Sequence, residues 1–123
     1  MRVLIVEDEF LIARDVANAL RAAGCEIAGL AGSAAEALAK LEEHGCDAAV
    51  LDANLKGTSA EPVAKWLRDR DIPFLVLSGY LGAQLEGELA RAPFMAKPYI
   101  AAELVSAVVS LQRADGQAPQ SRT

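Results

Sequence analysis

Five short runs, Val3–Val6, Ile27–Leu30, Ala48–Leu51, Phe74–Leu77 and Phe94–Ala96, carry no charged or polar side chain, and stretches of helical periodicity separate them. Runs this short and this uniformly apolar suit strands buried on both faces, the condition of a parallel sheet covered by helices. In the first interval Ile12, Val16 and Leu20 recur at every fourth residue, and Gly24 follows where a left-handed helix end belongs. Ser33 with Glu36 has the spacing of a capping box for a helix that ends near Gly45. Thr58 with Glu61 is a second such signature, with Pro62 tolerable in the first turn and Val63, Trp66 and Leu67 on one face. Pro73 opens the fourth run, where the loss of a ladder N–H costs least. Ile100, Leu104, Val108 and Leu111 form the last apolar stripe, whereas residues 82 to 90, with two glycines, predict the weakest helix of the set.

Strand and helix in strict alternation specify an α/β fold: a doubly wound, five-stranded parallel sheet with right-handed crossovers. Five strands in a chain of this length suit the order 2-1-3-4-5, the flavodoxin-like arrangement, better than the six-stranded alternative. A chain of 123 residues with 53% hydrophobic content is one domain, here residues 1–113, followed by a polar and flexible tail over 114–123. The net charge of −5 and the lack of any Lys/Arg cluster argue against nucleic acid as a partner. No apolar run is long enough for a bilayer and no secretory pattern opens the chain, so neither a membrane partner nor export is expected, and the cytoplasm is. Cys25 and Cys46 lack metal-ligand spacing and are expected as reduced core residues.

The residues that end the runs carry the chemistry. Glu7 and Asp8 follow the first strand, Asp52 the third, Ser78 the fourth and Lys97 the fifth. In the order 2-1-3-4-5 these strands are contiguous, and ligands bind outside their carboxyl ends. Taken singly, each has a plain reading: acids at a helix start, an aspartate or Ser-Gly in a turn, a Lys-Pro loop. Together they bring three carboxylates to one crevice, where they repel one another unless a cation compensates, and Mg²⁺ is the ion held by one or two carboxylates with water and phosphate oxygens. A metal, an ammonium and a hydroxyl are the groups that stabilise a phosphoryl group in transfer, with Asp52 as the nucleophile forming an acyl phosphate.

At this point "LIVEDE", the lone Asp52 after "AAVL", "VLSGY" and "MAKPY" resemble the receiver domain of two-component response regulators, over residues 1 to 113 and in its stand-alone, single-domain form. The resemblance implies that Asp52 accepts phosphate from a sensor histidine kinase or a histidine phosphotransfer protein. It implies Mg²⁺ held by Glu7, Asp8, Asp52 and the backbone carbonyl of Asn54, and Ser78 and Phe94 as the hydroxyl and aromatic switch positions. Such a chain is not an enzyme acting on a free substrate but a switch that contributes to its own phosphorylation and dephosphorylation. Its signal would leave through a downstream protein target on the face formed by the fourth helix, fifth strand and fifth helix, or by passing phosphate onward in a phosphorelay. Glu7 stands where aspartate is more frequent, Lys56 where many receivers have proline, and "DANLKG" with "PFLVLSGY" is similar to a subgroup whose fourth helix is poorly formed. A phosphohydrolase of the haloacid dehalogenase type would use the same groups, but its nucleophile follows the first strand in an Asp-x-Asp pattern. Here Asp8 is followed by Glu9 and Phe10.

Overall fold

The computed structural model describes residues 1–79, 87–97 and 99–121, with side chains through residue 111. The elements run β1 (Arg2–Val6), α1 (Phe10–Ala22), β2 (Glu26–Ala31), α2 (Ala34–His44), β3 (Ala48–Asp52), β4 (Asn54–Leu55), β5 (Thr58–Ser59), α3 (Glu61–Asp69), β6 (Phe74–Ser78), α4 (Gly87–Arg91), β7 (Phe94–Ala96) and α5 (Ala101–Ser121). One parallel sheet has the order β2-β1-β3-β6-β7, which is 2-1-3-4-5 when its own five strands are counted along the chain. The alternation in the sequence predicts this order. The two-residue strands β4 and β5 form a separate antiparallel hairpin that the apolar pattern does not announce.

Period-two alternation along each strand sorts the sheet's side chains into two layers. Leu4, Val6, Leu51 and Val76 pack with Leu41 of α2, Val63 and Leu67 of α3 and Leu89 of α4. Val3, Ile5, Val50, Leu75 and Leu77 pack with Val16 and Leu20 of α1 and Leu104 and Val108 of α5. Both faces are covered, which is why the runs show no polar alternation. Each fully buried Val, Leu or Ile contributes about 1.5–3 kcal/mol, so the sheet is the rigid body on which the strand ends are held. Ile100, expected to start the α5 stripe, is 63% exposed. It precedes the helix, and its carbonyl accepts the Leu104 N–H at 3.0 Å. The α5 backbone continues to Ser121, through the stretch read from the sequence as a tail. Among the described residues no helix is long and apolar enough to cross a membrane.

Two helix starts differ in a way that matters below. At α2 the Ser33 Oγ accepts the Glu36 N–H at 3.1 Å, and Glu36 Oε1 accepts the Gly32 N–H at 2.8 Å, one residue earlier than a regular capping box. The box expected from Thr58 and Glu61 does not form. Thr58 is drawn into the hairpin opposite Leu55, and Ala60 becomes the N-cap of α3. The hairpin turn places Lys56 at φ 53° and Gly57 at φ 84°, both left-handed as a two-residue turn between antiparallel strands requires. Asn54 Oδ1 accepts the Gly57 N–H at 2.6 Å and closes it. Of the weak segment 82 to 90, residues 82–86 lie outside the described residues, as does Tyr80, and the remainder belongs to the five-residue α4.

Candidate functional site

Register alone assembles the site. Val6 lies opposite Leu51 and Asp52 opposite Leu77, so Glu7 emerges beside Asp52 at the carboxyl edge of the sheet. Ser78 lies opposite Ala96, and Lys97 follows directly. Ladder bonds continue past the strands: the Glu7 N–H reaches the Ala31 carbonyl at 2.9 Å, the Ala53 N–H the Leu77 carbonyl at 2.8 Å and the Lys97 N–H the Ser78 carbonyl at 2.8 Å. These bonds fix the backbone under each functional side chain. The sheet order reverses between β1 and β3, where doubly wound folds open their ligand crevice.

Lys97 binds the two acids together. Its Nζ lies 2.8 Å from Asp52 Oδ2 and 3.3 Å from Glu7 Oε1. Glu7 and Asp52 are 3% and 6% exposed, and Ser78 is buried beside them at the end of β6. The Asn54 N–H donates to Asp52 Oδ1 at 3.1 Å and the Glu9 N–H to Glu7 Oε2 at 3.2 Å. Asp8 is half-buried, and one carboxylate oxygen each from Glu7, Asp8 and Asp52 lies within 4.8 Å of the others. Among the described residues, Lys97 is thus the ammonium that meets Glu7 and Asp52, with Asp8 beside them at the more open side. Burial, reinforced by the neighbouring Asp52, pushes Glu7 up to about 7 despite the Glu9 N–H and the Lys97 charge. Burial works against the Lys97 ammonium, but the hydrogen bond to Asp52, the charge of Asp52 and then Glu7 outweigh it and raise its pKa. Burial first, and then the adjacent Asp52, thus work against the charged form of Glu7. A hard divalent cation fits that donor set.

Phe94 opens β7 opposite Val76 and is 44% exposed, so this aromatic lies outward. Tyr99 is half-buried against the α1 and α5 layer, and burial followed by the charge of Glu7 raises its phenol above the ordinary value. His44 is exposed and meets Glu43 at 3.2 Å, away from this chemistry. Burial pushes Cys46 up to about 11, which makes it an inert thiol. Sequence reasoning missed Phe10 and Leu11, which are 64% and 63% exposed just beyond Asp8. Their signal was present: both fall off the buried stripe of α1, which comprises Ala13, Val16, Ala17 and Leu20.

The response regulator receiver domain matches residues 3–109 of the chain. The sensory transduction protein RegX3 of Mycolicibacterium smegmatis is 35% identical over 115 residues, covering 90% of this chain and 50% of that protein. The chain spans about half the length of the curated relatives it matches. The solution structure of SdrG from Sphingomonas melonis Fr1 is 36% identical with a TM-score of 0.77, covering 90% of this chain and 95% of that one. A CheY-like response regulator receiver domain from Methylobacillus flagellatus is 27% identical with a TM-score of 0.76, covering 90% and 98%. Since the match takes in the ends of β1, β3, β6 and β7 together, the chain belongs to the receiver domains of response regulators, which are phosphoacceptor switches.

Proposed function

We propose that Asp52 accepts a phosphoryl group from a histidine kinase or a histidine phosphotransfer protein, and that the resulting change is passed to a protein target. The observation that carries this reading is Lys97, whose ammonium bridges Asp52 and Glu7 inside the three-carboxylate cluster. An oxygen of Asp52 forms the new bond to phosphorus while the P–N bond of phosphohistidine breaks and its electron pair stays with the imidazole. Lys97 is within reach to neutralise the incoming phosphoryl oxygens, and the Ser78 hydroxyl supplies a donor to the same group. Glu7, Asp8, Asp52 and the carbonyl of Asn54 would hold Mg²⁺, which when bound supplies positive charge against the transferred group. Ser78 and Phe94 are the switch positions, and the α4-β7-α5 face is the output surface.

A protein donor must reach Asp52 over the rim of the crevice. Phe10, Leu11 and Ile100 are exposed within three residues of Asp8 or Lys97 and give it an apolar contact. Residues 1–113 form the receiver unit in this reading, 114–123 its tail, and the cytoplasm, where such kinases act, its compartment. Acetyl phosphate with Mg²⁺ tests the centre of the reading. Wild type is expected to gain a base-labile phosphoryl adduct by intact mass and Asp52→Asn none; equal labelling of the two proteins removes Asp52 from its role.

A further inference from the structure

A helix of five residues does not form by itself in water, yet α4 is present. Three ties bind it to α3. Leu89 is 4% exposed in the layer that holds Val63, Ala64 and Leu67. Arg68 Nε meets Glu88 Oε1 at 3.0 Å. The Glu61 carboxylate accepts the backbone N–H of Glu88 at 3.0 Å and that of Leu89 at 3.3 Å. Glu61 therefore sits between the amino ends of two helices, its own and α4, where both dipoles favour its charge. Gly87, at φ +62°, makes room for this contact, since a Cβ there would lie 2.6–2.9 Å from the Glu61 carboxylate group.

From Glu61 a run of short bonds leads back to the crevice. The Glu61 N–H donates to Ser59 Oγ at 3.0 Å, and the Ala60 N–H to the Ala53 carbonyl at 3.2 Å. The Gly57 N–H donates to Asn54 Oδ1 at 2.6 Å, and the Asn54 N–H to Asp52 Oδ1 at 3.1 Å. We propose that Glu61 is the positioning residue through which the phosphorylation state of Asp52 reaches α4, by way of the β4–β5 hairpin. The coupling rests on Asp52 being the phosphoacceptor. An acyl phosphate removes the carboxylate charge of Asp52, so Oδ1 becomes a weaker acceptor for the Asn54 N–H. The hairpin shifts, Glu61 shifts with it, and the cap on α4 weakens. This route runs through α3 and is separate from the Ser78 and Phe94 positions.

Amide hydrogen exchange on the full chain, with and without beryllium fluoride plus Mg²⁺ as a phosphate mimic, tests it. In wild type the mimic is expected to speed exchange at the Glu88 and Leu89 amides. In Glu61→Ala and Gly87→Ala these amides are expected to exchange about ten-fold faster already without the mimic, as fits the loss of charge-assisted hydrogen bonds. The mimic should then add little there, while amides of β1 and β3 keep wild-type protection as the control for folding. Glu61→Gln, which keeps an acceptor but not the charge, should fall between. Because linkage is reciprocal, the mimic should bind a few-fold tighter to Glu61→Ala than to wild type. Unchanged protection of Glu88 and Leu89 in Glu61→Ala overturns the cap, and an equal α4 response in all proteins, each shown to bind the mimic, overturns the coupling alone. A wild-type chain that ignores the mimic overturns the phosphoacceptor reading, and the coupling falls with it.

Discussion

The crevice at the ends of β1 and β3 holds Glu7 and Asp52 buried, the junction of α3 with α4 holds Glu61 half-buried, and the two answer carboxylate charge differently. At the junction Glu61 is met by two backbone N–H groups and by the amino ends of two helices, fixed partners that come with the fold. In the crevice Glu7 and Asp52 each accept one backbone N–H, from Glu9 and from Asn54, but they lie beside each other and Asp8 and share one lysine. A carboxylate answered by two backbone N–H groups is satisfied as it stands. Carboxylates that face carboxylates with one lysine between them favour a further positive charge.

Removing the Lys97 ammonium from the crevice should produce the largest stability effect. Lys97→Met leaves Glu7 and Asp52 buried without their partner, which destabilises fully buried pairs by about 3–5 kcal/mol. The lysine side chain is 24% exposed, so solvent screening brings the expected loss to about 2 kcal/mol. Urea denaturation of metal-free protein at pH 8 measures it, and added Mg²⁺ should restore part of the loss. A variant as stable as wild type under both conditions would show that the two acids are not in electrostatic conflict.

Glu7→Gln probes the same conflict through pH, with a comparable or smaller effect. Folded Glu7 keeps its proton up to about 7, whereas the ordinary value is 4.5. Between these values the folded state binds more protons than the unfolded one, so this group's contribution is full below about 4.5 and is lost as pH rises through 7. Metal-free wild type should therefore lose stability from pH 5 to pH 8, by on the order of 1–3 kcal/mol. Glu7→Gln cannot ionise, so it should show no such slope from this site and be the more stable protein at pH 8 while binding Mg²⁺ less tightly. Parallel stability curves for the two proteins would remove the charge demand from the account.

The crevice was legible in the sequence and the α3–α4 junction was not, for physical reasons. Strands buried on both faces announce themselves as unbroken apolar runs, and the residue after each run must emerge at the sheet's carboxyl edge. Glu7, Asp8, Asp52, Ser78 and Lys97 therefore follow from strand order alone. The hairpin escaped notice because two-residue strands carry no periodicity; only Gly57 hinted at the turn. Once Thr58 entered that hairpin, the expected Thr58–Glu61 box was lost and the glutamate was free to turn toward a helix 27 residues further along the chain. Spacing rules register caps within one turn, not caps that tertiary contact supplies. Ile100 failed for a related reason: its place on the stripe was right in phase, but α5 starts after it.

The smallest effect sharpens the contrast between local and distant caps. At α2, Ser33 and Glu36 close the helix start within four residues, and nothing in that cap touches the crevice. Ser33→Ala removes one hydrogen bond to the Glu36 N–H, and such substitutions typically cost about 1 kcal/mol. The loss should appear in urea denaturation and as faster exchange confined to the first turn of α2. Binding of the phosphate mimic should be unchanged, because the bonds of this cap run to Glu36 and Gly32 and not to Asp52 or the β4–β5 hairpin. Altered mimic affinity in Ser33→Ala would mean that any loosened helix start is felt at the crevice, and the special position of Glu61 would be lost.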